Sequence, residues 1–404
     1  MANSLVTIDM VTREALRVAH ETAQFIGTVD RSYDDSYAKT GAKIGSALRV
    51  RKPNQYTRTT GSRVMTVQDQ SESTSTITVA TQDHVDMRFN SAELALSIDE
   101  LSKRYIEPAV KVLVSGIESD FIAASTKAVW NVVGTAGTPP TDLVAVGAAR
   151  ARLNQGLAPK DGNRYIQCDS ATMGGLVNGL KGLFQDSSQI KEQYREGMIG
   201  RTAMADWYEN DRMWTLSNTA DVTVTTAAAA AVTDGGTNIT LASVANATAA
   251  GMVFTVAGVY ACHPETKQSL GYLQQYTIVT GGTTTQTVSP ATILTGAKQN
   301  VCSASSAQLA TTDYNGTSLA VTFIGAASTS YVQNLMYHKE AFQFVTADLP
   351  IMDDAAKCVR RTQDGLSMRV WQASDIRNDE LLMRIDILYG YAALRPEWAC
   401  RITS

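Results

Sequence analysis

Residues 222–241 read VTVTTAAAAAVTDGGTNITL and combine short threonine and valine runs with an Asp-Gly-Gly turn signal. They belong to a longer segment, 215–335, which we call the inserted segment. It holds six charged residues and 24 threonines among its 121 residues, against 68 charged residues in the other 283. So large a change of composition, with ordinary sequence on both sides, predicts one domain inserted into another.

The inserted segment predicts a compact β domain of about six strands, spaced as in a barrel. Glycine-containing turns separate its runs at 234–236, 281–282 and 315–316. The alanine run 227–231 has helix propensity, but it lies between strand signals and is interpreted as a connection. The predicted strands are 222–226, 238–241, 252–256, 272–279, 285–288 and 319–324.

The host sequence on either side mixes helices and strands without a regular βαβ repeat, so we predict an α+β fold. Residues 8–26 have helical amphipathic spacing and are expected to pack on their own chain, an arm towards a neighbour being the alternative. A second stripe from Pro108 to Trp130 predicts a spine helix about 35 Å long. Further helices are predicted at 143–153 and 171–184, and strands at 47–51, 165–168, 331–341, 358–373 and 381–393.

Residues 55–90 are mostly polar, and apolar residues alternate only in their second half. The pattern predicts a long two-stranded hairpin with little core of its own. Because such a hairpin is marginally stable alone, we expect a neighbouring subunit to cover it.

Composition limits the class of protein. The chain has 404 residues, 44% hydrophobic composition and a net charge of −4, enough for a sizeable core and two or three domains. Its charges are mixed in sign, so no basic face indicates nucleic-acid binding. Five widely spaced cysteines favour free thiols in a reducing compartment. Without an apolar leader or a long apolar run, we expect a soluble protein made in a cytoplasm.

Catalytic and metal-binding motifs are missing from the sequence. There is no phosphate-binding loop, dinucleotide fingerprint, nucleophile elbow or HExxH pair. The four histidines are isolated, and the paired carboxylates 34–35 and 353–354 lie in polar stretches. We therefore expect no metal, no cofactor and no enzymatic activity.

Several separated blocks resemble the major coat proteins of Salmonella phage P22 and its relatives. They are RIDILYGYAALRPE at 384–397, YHKEAF at 337–342, LSIDELSKR at 96–104 and, within the inserted segment, GYLQQ at 271–275. The resemblance implies the Hong Kong 97-type phage capsid fold with an inserted six-stranded β-barrel. The implied regions are an N-terminal arm (1–35), an extended loop (36–95), a peripheral domain with the spine helix (96–200), an axial domain beginning at 201–214, the inserted barrel (215–335), and the rest of the axial domain with a return to the peripheral domain (336–404).

The function implied by the resemblance is structural. Copies would form a homo-oligomer of hexamers and pentamers in an icosahedral procapsid, with a scaffolding protein and a portal protein. The shell would assemble in the host bacterial cytoplasm, expand on packaging, and enclose double-stranded DNA without sequence-specific binding. From its own turns and strand pattern, the inserted segment is expected to stabilise the monomer and to contact neighbouring capsomers.

One departure from some capsids of this fold concerns covalent linkage. Those capsids join an extended-loop lysine to a neighbour, whereas residues 55–90 contain no lysine, so a non-covalent shell is predicted. Arg58, Arg63, Asp69 and Glu72 are candidate ionic contacts with the next subunit, and a purely solvated role is the alternative.

Other functions remain open from the residues alone. A bacterial protein compartment could use the same fold, but it would not need an inserted barrel. A β-rich surface adhesin would explain the threonine-rich segment, but not the charged host or the missing leader. Co-purified DNA or a scaffolding partner would separate the first two.

Overall fold

A computed structural model of the chain resolves two compact units. The first comprises Met1–Val50, Ser75–Phe121 and Phe342–Leu394, and the second Arg51–Thr74, Ile122–Ala341 and Arg395–Ser404. The structure describes residues 8–404 except 32–46, 62, 66, 71, 91–101, 181–199, 220–222, 227–232, 243, 245, 310–317, 353–356, 364–365, 376–377 and 379.

The first unit is built on an antiparallel sheet around one long strand, β20 (Glu380–Ala393). A buried ion pair, Arg369 with Asp386, lies within this sheet. The neighbours of β20 are β3 (Thr81–Asn90), β17 (Phe342–Ala347) and β19 (Leu366–Asp375), and β18 (Lys357–Gln363) pairs with β19.

The predicted amphipathic helix is confirmed as α1 (Ile8–Thr22), followed by the short α2 (Phe25–Thr28). Val11, Ala15 and Ala19 are buried, and α1 packs against β18 and β19 of the same unit. Its apolar stripe is therefore used within the chain, as expected.

The prediction of one long hairpin over 55–90 is wrong. Strand β1 (Ala47–Arg51) pairs with β2 (Thr74–Thr78), whereas β3 pairs along its whole length with β20. Ile77 and Val79 are buried against Val345 and Leu388 of the same unit. Ile77 and Val79 thus face the core of their own chain. Strand β3 pairs with β20, which is longer than β2 and can match β3 along its whole length.

The predicted spine helix is confirmed as α3 (Glu107–Ala128), which follows a short π-helical turn, Ser102–Ile106. Residues 96–101 of the block LSIDELSKR lie outside the described residues. Phe121 of this helix packs on Phe25 with ring centroids 4.8 Å apart.

The second unit contains a mixed sheet, which we call the core sheet, in the order β4–β21–β16–β5–β7–β6, with β8 on β16. Helices α4 (Leu143–Gln155) and α5 (Ser170–Leu180) contribute to its apolar core; the predicted residues 181–184 lie outside the described part. The strands are β4 (Val132–Gly134), β5 (Arg164–Cys168), β6 (Arg201–Thr202), β7 (Ala205–Glu209), β8 (Thr215–Asn218), β16 (Thr329–His338) and β21 (Ala399–Thr403).

The inserted segment forms a second sheet of the same unit, in the order β10–β13–β12–β11–β15–β9, with β14 on β11. Each of its six predicted strands is present, and the two-residue β14 was not predicted. Phe254, Tyr276 and Phe323 lie in its core. The strands are β9 (Thr223–Thr225), β10 (Gly236–Thr240), β11 (Val253–Cys262), β12 (Ser269–Thr280), β13 (Thr285–Thr292), β14 (Val301–Cys302) and β15 (Ala320–Phe323).

The two ends of that strand order meet. A bridge joins Thr226, directly after β9, to Leu241, directly after β10. The Ala242 N–H also donates to the Thr225 carbonyl at 2.8 Å. The alanine run 227–231 lies outside the described residues.

Candidate assembly surfaces

The segment between β1 and β2, residues 52–73, is the most exposed part of the described chain, and we call it the extended segment. Within it Val64, Met65 and Val67 are 77%, 83% and 77% exposed. We call these three residues the apolar tip. Large apolar side chains that are exposed so close together are typical of an interaction site.

Hydrogen bonds close the extended segment on itself below the apolar tip. The Gln68 side chain acts as a strand partner for Thr57: it accepts the Thr57 N–H at 2.9 Å and donates to the Thr57 carbonyl at 2.6 Å. Nearer the base, the Lys52 N–H donates to the Ser73 carbonyl at 2.8 Å. The apolar tip is therefore presented at the end of a closed loop.

The four charged residues singled out from the sequence all lie exposed on this segment. Glu72 has a partner within the chain, Arg51, at 3.2 Å. Arg58, Arg63 and Asp69 have no ion pair with any described residue. The apolar tip was missed in the sequence, although the run Val-Met-Thr-Val inside a polar segment was a visible signal.

The chain enters and leaves the inserted segment side by side, because β8 pairs with β16. Leu216 lies opposite Tyr331, and the hydroxyls of Ser217 and Ser330 are 2.9 Å apart. Strand β16 then continues into the core sheet as far as His338. One continuous strand therefore joins the inserted segment to its host.

Strand β12 carries the side chains that contact the core-sheet elements. The Arg152 guanidinium of α4 stacks on the Tyr272 ring, 3.0 Å from its centroid. Gln275 accepts the Val132 N–H at 2.8 Å and donates to the Val132 carbonyl at 2.9 Å. Both Tyr272 and Gln275 belong to the block GYLQQ, so that block forms an intramolecular contact.

Burial and hydrogen bonding shift the pKa values of several described side chains, among them two cysteines and one aspartate. All five cysteines are free, and burial raises the pKa of Cys262 and of Cys400 to about 12, which keeps both as unreactive thiols. Burial tends to raise the pKa of Asp161, but hydrogen bonds from Asn163 and His338 outweigh it and lower the pKa to about 2. No cluster of three metal-ligating side chains occurs among the described residues.

The described helices include none that is long and apolar enough to cross a membrane. An exposed apolar tip beside sheets with buried cores of their own is typical of a protein that acts through surface contacts. The comparisons with known proteins agree with this class.

The family model described as "P22 coat protein - gene protein 5" matches residues 70–401, which include the whole inserted segment. The chain belongs to the P22 coat protein family. It is a major capsid protein of a tailed phage, a component of the virion capsid that assembles into an icosahedral shell of many copies.

Solved structures of phage capsids are similar to this chain at low identity. A protein of Mycobacterium phage Che8 is 11% identical with a TM-score of 0.49, covering 94% of this chain and 90% of its own. The capsid of Ralstonia phage GP4 is 7% identical (TM-score 0.45, 91% and 85% covered), and a protein of Gordonia phage Cozz is 9% identical (0.41, 93% and 86%). No curated protein sequence matches.

Proposed function

We propose that the chain has the Hong Kong 97-type organisation, with the inserted segment as a closed six-stranded barrel, and that it assembles as hexamers and pentamers. The long helix α3 and the exposed extended segment support the first part. The strand order of the inserted segment, with the bridge from Thr226 to Leu241 between its two ends, supports the closed barrel. The apolar tip is the observation that carries the assembly proposal.

The apolar tip supplies the free energy for a contact with the next subunit. Fully burying a Val or Met side chain contributes about 1.5–3 kcal/mol, and a symmetric shell repeats the contact in every copy. Arg58, Arg63 and Asp69 lie in the same segment and would orient it through ionic contacts worth about 0–1 kcal/mol each. The apolar contacts therefore determine whether shells form, and the charges adjust the register.

The test replaces Val64, Met65 and Val67 together by serine. We expect a soluble monomer with an unchanged urea midpoint that forms no shells in electron microscopy or sedimentation. Val144→Ser is the matched control, because Val144 is 75% exposed but lies at the start of α4. Shells in normal yield from the triple variant would contradict the proposal, and so would their loss in the control.

The partners we propose are a scaffolding protein, a portal protein and packaged double-stranded DNA, with assembly in the host bacterial cytoplasm. The mixed-sign surface and net charge of −4 support enclosing DNA without sequence-specific binding. We expect fixed-size shells only when the chain is co-expressed with its scaffolding protein. Closed shells with protein cargo and no need of scaffold would favour a bacterial compartment instead. We propose no catalytic activity.

For the inserted segment we propose two roles, stabilising the monomer and contacting neighbouring capsomers. Its apolar core supports the first role. Deleting 219–328 behind a short turn tests both, since it keeps the paired strands β8 and β16 intact. We expect a less stable monomer and an altered shell size, and normal folding with a normal shell would overturn the proposal.

A further inference from the structure

Arg401, in the last strand β21, is a fully buried cation whose hydrogen bonds join three separate parts of the second unit. Its guanidinium donates to the Gly251 carbonyl at 2.6 Å and to the Thr277 hydroxyl at 3.0 Å, both in the inserted segment. It also donates to the Lys127 carbonyl at 3.1 Å, at the C-terminal end of α3. One side chain therefore links the core sheet, the long helix and the inserted segment.

The acceptors around this charge are all neutral oxygen atoms. Burial lowers the pKa of Arg401 to about 9, so the guanidinium stays charged at neutral pH. No carboxylate forms an ion pair with it among the described residues. The Lys127 carbonyl belongs to the last turn of α3, where the helix dipole favours a cation. Because a buried charge is costly without its acceptors, each of them matters to Arg401.

Two residues of the inserted segment, Thr277 and Gly251, lie close to this helix end. The Thr277 hydroxyl, which accepts from Arg401, itself donates to the Lys127 carbonyl at 2.9 Å. Gly251 has a φ of +93°, and a Cβ atom there would lie 2.5 Å from the Trp214 ring and 2.9 Å from the Lys127 side chain. Only glycine lets the backbone come close enough for its carbonyl to meet Arg401.

We propose that Arg401 is a positioning residue that locks the inserted segment to the C-terminal end of the long helix, so that strand β12 and this helix end open and close as one cooperative unit. The inserted segment is then held to its host through Arg401 as well as through strands β8 and β16. This coupling is expected in the unassembled chain and does not depend on shell formation.

Hydrogen–deuterium exchange on the full-length protein tests the coupling. In Arg401→Met we expect exchange to become about ten- to a hundredfold faster, the loss expected for a hydrogen bond to a charged group. The increase should occur together in β12 and in residues 124–128, while β10 and β13 keep their protection. Thr277→Val should give the same paired pattern with a smaller increase, since it keeps the side-chain shape and leaves one acceptor fewer.

Thr285→Val is the matched control, because Thr285 is an exposed threonine of β13 in the same sheet. It should leave exchange in both β12 and the helix end unchanged. If Arg401→Met does not fold, the exchange pattern of Thr277→Val alone tests the proposal. Faster exchange confined to β21 and its strand neighbours, faster exchange in only one of the two coupled regions, or no change in Thr277→Val would each overturn the proposal.

Discussion

The extended segment and the inserted segment differ in the exposure of their large apolar side chains. The first exposes Val64, Met65 and Val67 at the end of a loop closed by a few hydrogen bonds. The second buries Phe254 and Tyr276 in a core of its own. From this difference we propose a division of roles: the inserted segment contributes to the stability of a single copy, whereas the extended segment is stabilised when another copy covers it.

The largest expected effect on the monomer comes from the core of the inserted segment. Phe254 is fully buried between Tyr276 and Phe323, with ring centroids 5.8 and 5.4 Å away. Phe254→Ala should lower the free energy of unfolding by about 3–5 kcal/mol, measured by urea denaturation. Tyr56→Ala, at an exposed site of the extended segment, should change it by less than about 0.5 kcal/mol. Equal losses of unfolding free energy in the two variants would mean that the two segments contribute equally to monomer stability.

A smaller effect is expected where the inserted segment approaches the helix end. Gly251→Ala combines a positive φ with a Cβ 2.5 Å from Trp214. We expect a loss of about 1–3 kcal/mol in unfolding free energy. Gly271→Ala is the control, since its φ is also positive but no atom lies within 4 Å of an added Cβ. A loss equal to the control's would mean that close packing at Gly251 contributes nothing.

The ion pair at the base of the extended segment should matter least to the monomer. Arg51 and Glu72 lie 3.2 Å apart and are both well exposed. Glu72→Gln should therefore change the unfolding free energy by about 0–1 kcal/mol, and less at high salt. A loss of several kcal/mol would show that the extended segment contributes to monomer stability as the inserted segment does.

We expect no covalent linkage between copies of the chain in the shell. Residues 55–90 contain no lysine, so they lack the amine that some Hong Kong 97-type capsids join to a neighbour. Shells boiled in detergent should run as a single band of the monomer mass in gel electrophoresis. A ladder of larger species would contradict a non-covalent shell.

Much of the fold follows from local patterns in the sequence. The low charge and the threonine and valine runs predicted the six main strands of the inserted segment, because alternation and turn residues act over a few positions. The partner of a strand is not local. Strand β3 pairs with β20, far along the chain, and nothing in residues 81–90 shows which strand they will meet.

The exposed surface of the extended segment was predicted in part, and its role in assembly stays a prediction. Arg58, Arg63, Asp69 and Glu72 were chosen because they are charged, and all four are exposed. The apolar tip could be identified only from the structure, because the sequence does not show whether a valine is exposed or buried. Arg401 could not be found at all from the sequence, because its role depends on acceptors in two distant segments.

Oxidation of Met65 by dilute hydrogen peroxide, followed by peptide mass spectrometry, tests whether the extended segment forms the contact between copies. Met65 is 83% exposed in the single chain, so it should oxidise rapidly in the unassembled protein. In assembled shells we expect at least about a tenfold slower rate, because a neighbouring copy is proposed to cover the apolar tip. An equal rate in the free chain and in shells would contradict the claim that the extended segment is the contact between copies.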